Sequence, residues 1–263
     1  MQQLARAKVN LSLHVVGKRD DGYHLLDSIV VFPEIGDLIR LEGTGLSISG
    51  PFGAGLSTTG NLVTQAAALV GREDAGLHLI KNLPVESGIG GGSADAAATL
   101  RLLSLGSVPN GAELGADVPA CVLSKPLRMQ GIGEQISLLP KLPGFAMVLV
   151  NNGEAVSTPQ VFKALKNVKN AKSPPLPEGL AAQEFFKFVA TQRNDMQAAA
   201  TEICPSITET LHALRLHSTC ALARMSGSGG TCFGLFEHLA QAERAAETIR
   251  RDHPNWWVVA ARC

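Results

Sequence analysis

The sequence predicts an α+β fold, because strand-like and helix-like segments alternate irregularly along its 263 residues. Short apolar runs dominate the opening of the chain, and a glycine-rich segment in the middle leads directly into an alanine-rich helix pattern. Strand patterns then return among helices in the second half. At roughly 150 residues per domain, a chain of this length forms one or two domains.

Apolar alternation and short buried runs predict the strands. The string LSLHVVG at Leu11–Gly17 alternates leucine and valine with other residues and ends at a glycine, as strands often do. Arg128–Gly133 is interpreted as a turn region. The other predicted strands are Asp27–Phe32, Ile39–Leu41, Leu46–Ile48, Leu77–Lys81, Phe145–Val150, Leu222–Met225, Cys232–Phe236 and Trp256–Ala261.

Helical spacing of apolar residues predicts the helices. In Asn61–Val70, Leu62, Ala66 and Leu69 share one face. Ser173–Pro177, with three prolines in five residues, is predicted to be a linker. The other predicted helices are Ala94–Leu105, Thr158–Lys166, Leu180–Val189, Cys204–Leu216 and Leu239–Arg250.

The composition excludes several classes of protein. Equal numbers of basic and acidic residues, 23 of each, argue against a protein that binds nucleic acid. No apolar run reaches the length of a membrane span and no signal peptide is recognisable, so we predict no membrane contact and no secretion. The 5 cysteines, odd in number and without a CxxC pair, indicate a reducing, cytoplasmic location. The histidines are scattered, and the sequence predicts no metal-ligating residues.

The string GIGGGS at Gly88–Ser93 has the properties of a phosphate-binding loop. Glycines allow backbone N–H groups to approach an anion and to adopt positive φ angles. The helix that follows begins with unpaired N–H groups and a partial positive charge. A tight turn that packs a helix closely is the alternative. Neither the Walker A motif nor the full dinucleotide fingerprint is present, which argues against a P-loop enzyme and a dinucleotide oxidoreductase.

Three other places carry residues suited to chemistry. Asp117, in the apolar stretch LGADVP, is predicted to need a partner, and Lys8 could provide one; two unrelated charges are the alternative. Tyr23 and His24 end a polar turn that could hold a planar ring or could be a plain surface hairpin. A second glycine cluster, SGSGGT at Ser226–Thr231, lies between two predicted strands and could be a flexible hairpin.

Taken together, these strings resemble the GHMP kinases, a superfamily of small-molecule kinases. The glycine loop with its helix resembles their second motif, and SGSGGTCFGLF at Ser226–Phe236 resembles their third. Within the superfamily, AKVNLSLHVVGKRDDGYHLLDS at Ala7–Ser28, SGIGGGSADAA at Ser87–Ala97 and LGADVP at Leu114–Pro119 resemble the family that phosphorylates 4-diphosphocytidyl-2-C-methyl-D-erythritol. The matching strings occur in the family's order from Ala7 to Phe236.

The resemblance implies a two-domain GHMP kinase fold, with domains 1–150 and 151–263 and the active site in the cleft between them. It implies ATP and Mg²⁺ as cofactors and phosphorylation of the 2-hydroxyl of the cytidine-containing substrate, in the non-mevalonate route to isoprenoid precursors. It assigns catalysis to Asp117 as general base and to Lys8 as its neighbour. Matched by position, the cofactor-binding residues are Gly88, Ile89, Gly90, Gly91, Gly92 and Ser93, and the substrate-binding residues are Asn10, Tyr23, His24 and Phe162.

The sequence departs from the family pattern around the glycine loop. Glu86 and Ser87 replace the opening glycine and alanine, and Ala94 replaces a second serine, which removes one hydroxyl from the phosphate contacts. Two other functions remain open: a GHMP kinase acting on homoserine, mevalonate or a sugar, and a non-catalytic nucleotide-binding protein. The motif DGYH at Asp21–His24 argues against the first, and retention of Lys8 and Asp117 argues against the second.

Overall fold

The computed structural model describes residues 1–263, which divide into two compact units. Unit 1 contains residues 1–8, 34–85 and 90–125, and unit 2 contains residues 9–33, 86–89 and 126–263. The predicted domain boundary between residues 150 and 151 does not coincide with these units. It falls inside a strand of unit 2, because each unit is assembled from separate stretches of the chain.

The sheet of unit 1 has the strand order β1-β4-β6-β5. Its strands are β1 (Gln2–Arg6), β4 (Gly36–Leu41), β5 (Leu46–Ser49) and β6 (Leu77–Ile80). β5 and β6 are parallel, and the other pairs are antiparallel. Leu77 and Leu79 alternate with less buried neighbours, which gives the sheet one apolar face.

Three α-helices complete unit 1. They are α1 (Leu62–Leu69), α2 (Gly91–Leu103) and α3 (Val118–Leu123). Helix α2 packs on β1 and β4 and is buried on most of its surface, because small alanines allow its backbone to approach the sheet closely. Its first turn therefore lies at a fixed place relative to the sheet.

Unit 2 contains two antiparallel sheets. The first, in the order β2-β3-β7-β8, has strands β2 (Val9–Lys18), β3 (His24–Val31), β7 (Leu127–Gly131) and β8 (Gln135–Leu138). The second, in the order β10-β11-β9-β12, has strands β9 (Ala146–Asn151), β10 (Leu222–Met225), β11 (Cys232–Phe236) and β12 (Trp257–Arg262). Strand β9 is buried along its whole length, as expected for a continuous apolar run in a central strand.

Five helices belong to unit 2. They are α4 (Thr158–Lys163), α5 (Ala182–Thr191), α6 (Gln197–Ile203), α7 (Ser206–Arg215) and α8 (Leu239–Asp252). Helix α8 packs on β9 and β12, and α7 packs on β10 and β11, so that one apolar core lies between the second sheet and its helices. No helix in either unit is both long and apolar enough to cross a membrane.

The predicted α+β class is confirmed. The predicted turn region Arg128–Gly133 is wrong up to Gly131 and confirmed at residues 132 and 133, and the predicted linker Ser173–Pro177 contains no helix or strand but is not a free segment. The turn region at Arg128–Gly133 overlaps strand β7, where Leu127 and Met129 are buried and Arg128 is neutralised by Asp27 at 2.5 Å. The predicted linker Ser173–Pro177 is anchored at its start. Ser173 is 4% exposed and donates its backbone N–H to Asp27, while Arg128 donates to its carbonyl.

Candidate active site

Lys8 and Asp117 form an ion pair in unit 1. The Lys8 ammonium donates to Asp117 Oδ2 at 2.7 Å, although 109 residues separate the two in the chain. The Lys8 side chain is 8% exposed, whereas that of Asp117 is 37% exposed. Asp117 stands at the N-terminus of α3 but makes no capping bond to it. The carboxylate is thus oriented by Lys8 and still reaches solvent, as a proton acceptor for a bound molecule must.

The nearest thiol takes no part in this chemistry. Burial, reinforced by the charge of Asp117, raises the pKa of Cys121 to about 12. The thiol therefore stays protonated near neutral pH and is a packing residue rather than a nucleophile.

The start of α2 adjoins Lys8. Gly90 precedes the helix with a φ of 64°, and a Cβ at this position would lie 3.1 Å from Cβ of Lys8. The first helical hydrogen bond joins the Ala94 N–H to the Gly90 carbonyl at 2.9 Å. The backbone N–H groups of Gly91, Gly92 and Ser93 precede this hydrogen bond in the chain and have no acceptor within the helix. They are therefore available to an anion at the positive end of the helix dipole.

Ser87 and Gly88, which come before α2 and belong to unit 2, are hydrogen-bonded to the second glycine cluster at Ser226–Thr231. The Ser226 hydroxyl donates to the Gly88 carbonyl at 3.0 Å and accepts the Asn10 backbone N–H at 3.1 Å. The Thr231 N–H donates to the Ser87 carbonyl at 3.1 Å. This cluster is therefore not a free hairpin, and its Ser226 hydroxyl is a contact that the sequence analysis did not single out.

Two predicted loop residues have specific structural roles. Ile89 is fully buried, so only its backbone is available to a ligand. Glu86 adopts a φ of 50°, in the left-handed region that favours glycine. Glycine would adopt this conformation without strain, so the sequence places a residue with a Cβ where the backbone favours glycine.

Asn10 presents a buried, unsatisfied acceptor. Its Nδ2 donates to the Ser28 hydroxyl at 2.7 Å, and Oδ1 has no hydrogen-bond partner. The residue is only 3% exposed. A buried carbonyl oxygen without a donor costs about 1–3 kcal/mol, and a ligand hydroxyl or amine could satisfy it.

His24 and Phe162 form a stacked pair in unit 2. Their ring centroids are 4.7 Å apart and their planes differ by 15°. Burial, followed by the charge of Lys18, lowers the pKa of His24. The imidazole is therefore neutral near pH 7 and suited to contact an uncharged aromatic base. Tyr23, which is 59% exposed, is next to this pair in sequence but is not part of the stack.

No group of three or more His, Cys, Asp or Glu side chains is arranged to hold a metal ion. Mg²⁺ in kinase sites is often bound through one or two carboxylates together with the substrate phosphates. Asp117 is a partly exposed carboxylate near the start of the glycine helix, and the chain is compatible with such a shared arrangement.

Two family models match the chain. That of the GHMP kinases N terminal domain matches residues 61–125, and that of the GHMP kinases C terminal matches residues 181–255. The first includes the glycine loop and Asp117, and the second includes the Ser226 cluster.

Curated relatives match along nearly the whole chain. A protein of Paracoccus denitrificans (strain Pd 1222) named 4-diphosphocytidyl-2-C-methyl-D-erythritol kinase is 51% identical over 99% of this chain and 96% of its own length. A protein of the same name from Rhizobium meliloti (strain 1021) is 50% identical over 98% of this chain and 93% of its own length. The crystal structure of a 4-(cytidine 5'-diphospho)-2C-methyl-D-erythritol kinase superposes with a TM-score of 0.80 at 31% identity, covering 100% of this chain and 98% of that one.

Proposed function

The chain belongs to the 4-diphosphocytidyl-2-C-methyl-D-erythritol kinases within the GHMP kinases, and we propose that Asp117 and Lys8 perform its phosphoryl transfer. The protein is an ATP-dependent kinase that phosphorylates the 2-hydroxyl of the cytidine-containing alcohol. The observation that supports the assignment of catalytic residues is the 2.7 Å ion pair between Lys8 and Asp117, whose Lys8 lies beside the start of α2.

Asp117 acts as the general base in this proposal. Its carboxylate accepts the proton of the substrate hydroxyl while that oxygen forms a bond to the γ-phosphorus of ATP. The bond between the γ-phosphorus and the bridging oxygen breaks, and ADP leaves with the electron pair. Lys8 orients the carboxylate and places a positive charge near the transferring group, where negative charge accumulates.

The glycine loop binds the ATP phosphates through its backbone. The N–H groups of Gly91, Gly92 and Ser93 lie at the positive end of α2, and glycine at Gly88 and Gly90 allows the left-handed backbone that leads into the helix. Mg²⁺ bound together with the ATP phosphates would neutralise part of their charge.

The cytidine portion binds at the aromatic pair. Neutral His24 and Phe162 offer a surface for the cytosine ring, and the exposed Tyr23 side chain, next to His24 in the sequence, is free to contact the bound ring. Asn10 Oδ1 accepts a hydrogen bond from the alcohol end of the same substrate, which satisfies its buried oxygen. The small anionic substrate also fits a chain of no net charge, and we propose no nucleic-acid partner.

Release of ADP tests this proposal directly. The purified protein is given ATP, Mg²⁺ and 4-diphosphocytidyl-2-C-methyl-D-erythritol, with mevalonate and homoserine as control acceptors. We expect turnover with the cytidine substrate alone. Turnover with only a control acceptor would refute the substrate, and ATP binding without turnover of any acceptor would support a non-catalytic protein.

A matched pair of variants tests the base. Asp117→Asn should lower kcat by about 10²–10⁴, since an amide cannot accept the proton. Asp74→Asn, which alters a carboxylate that is 84% exposed, should leave kcat unchanged. Near-normal turnover by a folded Asp117→Asn protein would remove Asp117 from the mechanism.

A further inference from the structure

A second ion cluster is buried in unit 1, outside the residues assigned to catalysis. Lys81 donates its ammonium to Asp37 and, at 2.7 Å, to Asp95. The three side chains are between 0% and 5% exposed. Lys81 follows β6, Asp37 lies on β4 and Asp95 lies on α2, so the cluster joins two strands to the helix that begins at the glycine loop.

The cluster also fixes the chain that leads into the glycine loop. Asp37 Oδ1 accepts the backbone N–H groups of Asn82 and Leu83 at 2.6 and 2.7 Å. These residues lie just before Pro84, in the segment that leads to the glycine loop at Gly88–Ser93. Asp37 therefore holds the segment on one side of the glycine loop, and Asp95 holds the helix on the other side.

Lys81 lies directly beneath the first residue of α2. A Cβ on Gly91 would be 3.0 Å from the Lys81 ammonium nitrogen and 3.7 Å from Asp37 Oδ2. A side chain at the start of the helix would therefore displace the ammonium below it by a few tenths of an ångström. This packing leaves the helix start little room to shift relative to the cluster.

The charges in the cluster do not oppose an anionic ligand nearby. Burial, followed by the neighbouring Asp37 carboxylate, raises the pKa of Asp95 to about 8, against the opposing effect of Lys81. Burial alone would lower the pKa of Lys81, but the Asp95 and Asp37 carboxylates outweigh it and raise that pKa. With Lys81 charged and Asp95 mostly protonated near pH 7, the cluster adds no net negative charge beside the loop.

We propose that Lys81, held by Asp37 and Asp95, is a positioning residue for ATP, because it fixes the first turn of α2 where the phosphates bind. The proposal rests on the proposed function of the glycine loop. Lys81 contacts no substrate in this scheme. It acts through the backbone N–H groups above it, which bind tightly only when their directions are fixed before the ligand arrives.

Four variants distinguish a role of Lys81 in positioning the first turn of α2 from a role in the general stability of the protein. Lys81→Met removes the ammonium from between Asp37 and Asp95 and leaves the buried Asp37 charge without its cation, so a lower melting temperature is expected. Lys81→Met with Asp95→Asn removes one of those carboxylates and should recover stability without restoring the anchor. Asp95→Asn alone keeps an acceptor for Lys81. Arg101→Met is the matched control, because Arg101 lies near the other end of α2 and donates to the carbonyls of Cys121 and Leu4.

The dissociation constant for ATP, measured by calorimetry on folded protein, is the main readout. Both variants that lack Lys81 should bind ATP at least tenfold more weakly, while Asp95→Asn and Arg101→Met stay within twofold of wild type. The dissociation constant for the cytidine substrate should stay within twofold throughout. Wild-type affinity for ATP in the folded double variant would overturn the proposal. Equal weakening in Arg101→Met, or equal weakening towards the cytidine substrate, would overturn it too.

Failure of the proposed function has a different signature. If the wild-type protein binds ATP but releases no ADP with the cytidine substrate, the reaction is wrong, while the affinity series still tests Lys81. If ATP turnover is normal and the affinities of the Lys81 variants do not change, only the positioning role is refuted.

Discussion

A methyl group added at Gly88 tests how tightly the two glycine clusters pack. In Gly88→Ala the new Cβ would lie 2.4 Å from the Gly229 carbonyl oxygen and 2.7 Å from that of Ser226. Both are backbone atoms, so no side-chain rotation relieves the overlap. Gly88 also has a φ of 74°, a conformation that alanine adopts only with strain.

The expected loss of stability follows from these two effects. The left-handed backbone costs an L-residue about 1–2 kcal/mol, and forcing a methyl group into packed structure costs about 1–3 kcal/mol. The smaller entropy of alanine in the unfolded chain offsets about 0.4–1 kcal/mol. We therefore expect Gly88→Ala to lower the free energy of unfolding by about 1–5 kcal/mol.

Urea unfolding followed by circular dichroism measures the effect, with Gly92→Ala as the control in the same loop. A Cβ on Gly92 would meet only Cδ1 of Leu62, at 3.4 Å, and alanine favours the helix by up to about 1 kcal/mol. Gly92→Ala should therefore match or exceed wild type. A change of less than 1 kcal/mol in Gly88→Ala, or equal losses in both variants, would refute this reasoning.

Three further predictions concern unit 2. His24→Ala should raise KM for the cytidine substrate at least tenfold and leave KM for ATP unchanged in the ADP-release assay; equal rises in both constants would remove His24 from the cytosine site. Arg224→Met should lower the free energy of unfolding by about 3 kcal/mol, because the buried guanidinium donates to the carbonyls of Leu11, Val189 and Gln192; an unchanged urea midpoint would contradict this. Burial lowers the pKa of His14 below 6.5, so its stabilisation is present above pH 6.5 and is lost as the pH falls through 6.5 towards the folded-state pKa. His14→Gln should make the acid dependence of the urea midpoint shallower, and an identical dependence would exclude this histidine.

The sequence predicts most elements of this fold, because their patterns are local. Strand β10 was predicted with the bounds that the structure has, and α1 differs by one residue at each end. Strand β1 was missed, because QQLAR has two glutamines and an arginine and forms a half-exposed edge strand. The turn predicted at Arg128–Gly133 begins too early, because nothing local indicates that Asp27, far away in the sequence, neutralises Arg128 within a strand.

The residues of the candidate site are predictable where they lie in recognisable motifs. The contacts between side chains that are far apart in the sequence are not. Spacing alone left the Lys8–Asp117 pairing open, and the family resemblance placed both residues in the active site; the structure now shows their contact. The stack of His24 on Phe162 joins residues from β3 and α4, and only the resemblance indicated it. The Lys81 cluster is not predictable from the sequence, although Asp95 lies in the string SGIGGGSADAA, because Asp37 and Asp95 are 44 and 14 residues away from Lys81 and nothing local indicates that the three meet.

The interleaved course of the chain has a consequence for how the protein is made. All residues of unit 1 have been synthesised once residue 125 is complete. Strands β2 and β3, made within the first 31 residues, have to wait for β7 at residues 127–131 before β3 gains its second neighbour. An apolar hairpin is thus left with an unpaired edge while about a hundred further residues are made, a situation that promotes aggregation during translation. Slower translation before β7 should therefore reduce the soluble yield without changing the stability of the finished enzyme.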